Sequence, residues 1–195
     1  MKRRSALSLV LGAGLLAACA SKGPLDGPTF AARERALRGL THFDLQGRVS
    51  LTRGEEGWHA SLNWRQRGDA YTIDLVGPLG QGQVLITGSG DDAVLESGDR
   101  RLVADDPDAL VAAATGFALP VAGLRHWVRG LPAPDGPRTL RGDPQGRVTN
   151  LQQAGWTIDY LGYQTVDALD VPRRIDARRG ELRLKLVIGH WQWRA

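Results

Sequence analysis

The sequence predicts a mainly β chain with some helix, its strands joined into one antiparallel sheet. Three observations carry that expectation. Apolar and polar residues alternate with a period of two over several stretches, short turn signals separate those stretches, and two segments of helical period interrupt them midway. In chain order, Thr29 is placed to cap a helix running to about Leu40, with Phe30, Leu37 and Leu40 near one face. From Phe43 the period changes. Trp58, Ala60, Leu62 and Trp64 share one face, with His59, Ser61, Asn63 and Arg65 on the other. Tyr71, Ile73 and Leu75 alternate with Thr72 and Asp74. This is the pattern of antiparallel strands wet on one side. Arg53-Gly54-Glu55-Glu56-Gly57, Arg67-Gly68-Asp69, Gly88-Ser89-Gly90-Asp91-Asp92 and Gly98-Asp99 read as turns between hairpin neighbours.

The middle of the chain changes period again. Asp106 before Pro107 has the form of an N-cap and first helical residue, and Gly116 of a stop. Pro120 opens a second helix with Val121, Leu124, Trp127 and Val128 at helical spacing, ended by Gly130 and Pro132. Ala133 to Pro137 reads as a loop. Strands resume from about Arg138 to Trp193, with Trp156, Ile158 and Tyr160 on one face and Leu182, Leu184, Leu186 and Ile188 on another. A long sheet that is apolar on one face curls, because strands twist. Helices inserted midway are then placed to cover its concave side.

The start of the chain carries a different signal. Met1-Lys2-Arg3-Arg4, an apolar run from Ala6 to Leu16 and the small residues before Cys19 make a secretory signal peptide, expected over residues 1–18. Leu16-Ala17-Ala18-Cys19 resembles a bacterial lipobox. That resemblance implies a diacylglyceryl group on Cys19, then N-acylation once Cys19 becomes the N-terminus. Residues 19–28 read as a lipidated tether and 29–195 as a single domain. No aspartate follows Cys19, which by analogy with enterobacterial sorting places the protein at the outer membrane, facing the periplasm. The formal charge of +4 falls to +1 once Lys2, Arg3 and Arg4 leave with the signal, so nothing calls for nucleic acid as a partner. Cys19 is the only cysteine, so no intramolecular disulfide forms.

Chemistry-bearing patterns are few. His42, His59, His126 and His190 lack zinc-ligand spacing, so no metal site is expected. Ser89 lies in a turn, not a nucleophile elbow. Asp105 and Asp106 suit helix capping better than acid–base work. No catalytic residue, enzyme activity or cofactor beyond the covalent lipid is expected. The tryptophans have two readings, a packed core or the lining of a cavity for a greasy ligand, and periodicity is the same for both. The cavity reading selects Trp64, Tyr71, Trp127 and Trp156. Gly77-Pro78-Leu79-Gly80 is a turn that carries a leucine where polar residues are usual. Leu79 is either folded back onto the domain or offered to a membrane or partner.

Taken in order, these motifs resemble the LolB family of outer-membrane lipoprotein receptors over nearly the whole mature length. The matching residues are the lipobox, Gly47-Arg48, Trp64-Arg65-Gln66 with Tyr71, Gly77-Pro78-Leu79-Gly80, Ala104-Asp105-Asp106, Leu124 to Pro132, Trp156 to Tyr160, Pro172 and Leu182 to Trp191. The resemblance implies an incomplete, unclosed antiparallel β-barrel covered by helices, with a hydrophobic cavity between. It implies a monomer that accepts acylated lipoproteins from the soluble periplasmic carrier LolA and inserts them into the outer membrane. Leu79, flanked by Pro78 and Gly80, matches the family's protruding-loop leucine, which serves membrane insertion. The competing expectations are a structural or assembly lipoprotein with a solid core and, third, a lipid-modifying enzyme.

Overall fold

The computed structural model describes residues 23–24, 28–80, 82–90, 92–117 and 119–194. Its elements are β1 (Gly23–Pro24), α1 (Pro28–Gly39), β2 (His42–Arg53), β3 (Glu56–Arg67), β4 (Ala70–Val76), β5 (Gln83–Ser89), β6 (Asp92–Ser97) and β7 (Arg100–Ala104). These are followed by α2 (Pro107–Thr115), α3 (Val121–Trp127), β8 (Arg138–Gly142), β9 (Val148–Gln153), β10 (Trp156–Val166), β11 (Leu169–Arg179) and β12 (Leu182–Trp193). Cys19 and the expected signal peptide lie outside the described residues. Of the expected tether, Gly23 and Pro24 pair with Gly142 and Arg141 of β8.

All the strands form one antiparallel sheet, ordered β1-β8-β9-β10-β11-β12-β2-β3-β4-β5-β6-β7 and not closed into a barrel. Two hairpin arrays, β2 to β7 and β8 to β12, are welded by the pairing of β12 with β2. The turns expected between strands carry left-handed glycines at Gly54, Gly68, Gly90 and Gly98, as tight hairpins require. Bulges bend the sheet at Ile188/His190 and between Tyr160 and Tyr163. Gly47 stands where β2 meets the first of these. A Cβ there would lie 2.3 Å from the Val187 carbonyl oxygen, so only glycine fits.

The crossing from β7 to β8 explains the lid. β7 forms one edge of the sheet and β8 lies next to the other, so the connecting chain must traverse the sheet. It does so as α2 and α3, over the apolar concave face. α2 is built as its sequence predicts: the Asp106 carboxylate accepts from the Asp108 and Ala109 N–H groups, and the left-handed Gly116 closes the helix with its N–H on Ala112 O. α1 begins two residues earlier than a Thr29 cap would place it. Pro28 occupies the first turn, where a proline costs no hydrogen bond, and Thr29 is helical instead of capping. Every buried apolar side chain among the described residues lies between Leu37 and Trp191, so a chain starting at Ala20 keeps all of them.

Candidate functional site: an apolar room under a helical lid

The inward faces of five strands and the lid enclose one dry space. Its walls are Val49 of β2, Leu62 and Trp64 of β3, Ile73 and Leu75 of β4, Ile86 of β5, and Leu184 and Leu186 of β12. Leu119, Val121 and Leu124 form the roof. No charged side chain lines it. The free volume is about 40 Å³, room for about one water molecule, and an all-apolar wall keeps such a space dry. A sixteen-carbon acyl chain does not fit in it.

The lid is fastened firmly at one end. At the end of α3 the Trp127 indole N–H donates to Gln153 Oε1 at 3.1 Å, and the Tyr160 hydroxyl donates to Trp127 O at 3.0 Å. Gln153 is buried and fully engaged: Ala133 N–H donates to it, and its amide donates to Ala133 O and Asp135 O. Arg129 is buried too, and donates to Leu37 O, Leu40 O and Arg125 O at 3.2, 3.0 and 3.1 Å. The α1 carbonyls sit at the negative end of that helix, which suits a cation. Burial first, then Arg38 and Arg125, lowers the Arg129 pKa to about 10, so it stays charged at neutral pH. Burial first, then Arg129, Arg125 and Arg38, lowers His126 to about 4. Neutral His126 has one ring nitrogen to accept with, and guanidinium donors stand at both: Arg129 Nη2 is 3.3 Å from Nδ1 and Arg125 Nε 3.2 Å from Nε2.

The other end is buried through Leu110, Val111, Phe117 and Val121, and its side-chain fastening from the sheet is exposed. Arg53, at the tip of the β2–β3 hairpin, donates to Gly116 O at 3.1 Å, and its guanidinium lies 5.2 Å from the Phe117 ring centre. Ala122 N–H donates to Asp108 Oδ1 at 3.2 Å, tying α2 to α3. Burial pushes the Asp108 carboxyl up, against the pull of the Ala122 and Val121 N–H groups. α2 and the start of α3 thus cover the room with an exposed polar contact at Arg53, while the end of α3 is pinned to α1 and β9 by buried ones.

Of the four cavity candidates only Trp64 lines the room. Trp64 is in the wall of the room, its indole N–H on Gln66 Oε1 at 2.9 Å. Tyr71 is two residues before Ile73 on β4, buried, with its hydroxyl unpaired. It packs over Gly88, where a Cβ would come within 2.4 Å of that hydroxyl. Trp127 and Trp156 pack on each other, ring centres 6.2 Å apart, beside the pinned end of the lid and away from the room's walls. The Gly77 to Gly80 stretch is a single 3-10 turn between β4 and β5, closed by the Gly80 N–H on Gly77 O at 3.2 Å, with Leu79 at its centre. Pro78 and Gly80 are exposed. Sequence reasoning missed Arg53, Arg129 and Gln153 as lid fasteners. Arg129 lies inside a motif that drew notice for its tryptophan, whereas nothing local to Arg53 or Gln153 foretells partners so distant in the chain. Among the described residues no group of three His, Cys, Asp or Glu side chains is placed to hold a metal ion.

An open antiparallel sheet curled around an apolar room, with helices across its mouth, defines a class of lidded half-barrels. A LolA superfamily protein from Nitrosomonas europaea shares that fold at a TM-score of 0.56 and 8% identity, over 87% of this chain and 95% of that one. A DUF1329 family protein from Desulfovibrio piger does so at a TM-score of 0.58 and 8% identity, over 88% and 93%. Within that class, the family model for the outer membrane lipoprotein LolB matches residues 41–191, and the chain belongs to the LolB family. It is 41% identical to the outer-membrane lipoprotein LolB of Chromohalobacter salexigens, over 95% of this chain and 89% of the relative. It is also 41% identical to that of Alkalilimnicola ehrlichii, over 98% of both.

Proposed function

We propose that this chain receives acylated lipoproteins from a soluble LolA-type periplasmic carrier and places them in the outer membrane. Family membership makes it a lipoprotein-localisation factor at the outer membrane and not an enzyme. The finer reading adds a lipid anchor on Cys19, a working domain over 29–195 and a lid that yields to acyl chains. The observation that carries it is the dry, all-apolar room under a lid whose α3 end is held by buried hydrogen bonds and whose α2 end, the flap of this reading, has its polar fastening at the exposed Arg53.

The physical need is large. Three acyl chains of roughly sixteen carbons carry about 45 methylenes, and leaving them in water costs on the order of 35 kcal/mol. Such cargo does not cross an aqueous space unsheltered. Raising the flap exposes Trp64, Leu62, Ile73 and the facing leucines as a continuous greasy floor. A bias of about 1.4 kcal/mol at each handover is enough for a tenfold preference, so transfer from carrier to receptor to bilayer runs downhill without nucleotide. The turn bearing Leu79 is the element that meets the membrane.

The small volume of the closed room favours one rival, a structural lipoprotein with a solid core. The test separates the two. The chain from Ala20, mixed with a fluorescent fatty acid, binds it if the flap opens; no binding at any lipid concentration supports the solid core. Leu79→Glu is expected to receive cargo normally and to lose insertion into vesicles. Normal insertion by that variant removes Leu79 from the mechanism.

A further inference from the structure

The convex face beside the Pro78–Gly80 turn has no part in the cavity. It carries a groove of about 510 Å³. Two adjacent rungs of the sheet build its floor. In one, Lys185 of β12, Ser50 of β2 and His59 of β3 lie side by side; in the next, Val187, Arg48 and Ser61 do. Gly77, Pro78 and Gly80 form its rim. Arg48 and Lys185 are diagonal neighbours on one face, a separation of roughly 7–8 Å at the backbone that both long side chains span.

The charge on this groove is uncompensated. Several other cations on the convex face have carboxylates: Arg67 and Arg194 share Asp44, while Arg183 and Arg178 hold Asp176 and Asp159. Arg48 and Lys185 are exposed and make no ion pair among the described residues, and no Asp or Glu lines the groove. Asp176 stands opposite Lys185 in the register, but it is buried and taken by Arg183. Two free cations beside two serine hydroxyls match one anionic oxygen cluster.

We infer that this groove seats a phosphodiester headgroup of the bilayer, so that Arg48 and Lys185 hold the domain at headgroup depth while the adjoining turn enters the membrane. This rests on the reading of the turn given above and deepens it: the leucine supplies the apolar contact, and the groove supplies the charge that sets depth and orientation. Bilayer phosphate is favoured over a protein partner because the groove's rim is the very turn assigned to the membrane.

The test is partition of the chain from Ala20 onto vesicles of equal parts phosphatidylethanolamine and phosphatidylglycerol, with phosphate-free digalactosyldiacylglycerol vesicles in parallel. Each basic residue at an anionic surface is worth about fivefold, so Arg48→Gln with Lys185→Gln lowers partition about 25-fold on the phospholipid. On the glycolipid the double variant and the wild type are expected to partition alike. Arg65→Gln, exposed on the same face but outside the groove, changes phospholipid partition less than twofold. Fatty-acid uptake by the double variant stays at the wild-type level, which separates the groove from the cavity. Unchanged partition of the double variant overturns the inference, and so does an equal fall with Arg65→Gln. If the double variant partitions normally while Leu79→Glu loses insertion, the groove is refuted and the membrane turn stands.

Discussion

Replacing Arg53 by alanine releases the flap without touching the apolar room. Arg53 holds the lid through one hydrogen bond to Gly116 O at 3.1 Å and one cation–ring contact with Phe117 at 5.2 Å. Its ion pair with Glu56 lies within the hairpin and does not bear on the lid. The hydrogen bond is charge-assisted but exposed, and the ring contact is worth about 0.5–1 kcal/mol at such a site. Together they favour closure by about 1–2 kcal/mol, a factor of roughly 5–30 in the closed-to-open ratio. The apparent affinity of a ligand that needs the open form scales with the fraction open. Arg53→Ala is therefore expected to tighten binding of a fluorescent fatty acid by about 5–30-fold, measured by titration of the chain from Ala20, with only a small loss of stability. Unchanged or weaker binding by a folded Arg53→Ala protein refutes the flap: acyl chains would then enter elsewhere, or the lid would not limit entry.

Gln153→Leu strips the buried Trp127 indole N–H and three partly buried backbone groups of Ala133 and Asp135 of their partner, and is expected to lower unfolding free energy by about 2–3 kcal/mol in urea titrations. A loss below about 1 kcal/mol would mean that the end of α3 is not pinned there. His126 gives a pH signature. Its pKa falls from 6.5 to about 4 in the folded chain, so its neutral form contributes stability that is present above pH 6.5 and lost as the pH falls from 6.5 towards 4. With allowance for partial exposure, about 1 kcal/mol is gone by about pH 5. His126→Gln should flatten that part of the stability profile, and an unaltered profile would assign the loss to other groups.

Local pattern made much of this fold legible. The alternation from Trp58 to Trp64 gives β3 and its buried face, and the Asp106-Pro107 start and Gly116 stop give α2 almost to the residue. These signals lie within a few positions of what they specify. What was not legible is non-local. The pairing of β12 with β2, which welds the arrays, joins residues more than a hundred positions apart, and no short pattern encodes it. The divided roles of the tryptophans were hidden for the same reason. Trp64 and Trp156 both sit at inward positions of alternating strands, yet only Trp64 walls the room, because the sheet's curl carries Trp156 round to the pinned end of α3. A filled and a hollow curled sheet share one alternation, so room size appears only in three dimensions. Arg53 and Gln153 read as ordinary polar surface until the crossing helices are laid over them.

The account stands or falls on whether acyl chains occupy the room beneath the flap. The direct measurement is photo-crosslinking from a photoreactive residue at Leu124, in the roof, during handover of a radiolabelled triacylated lipoprotein from its soluble carrier. The account predicts an adduct through the cargo's acyl chains, strengthened by Arg53→Ala. Efficient handover with no adduct at that position would contradict it.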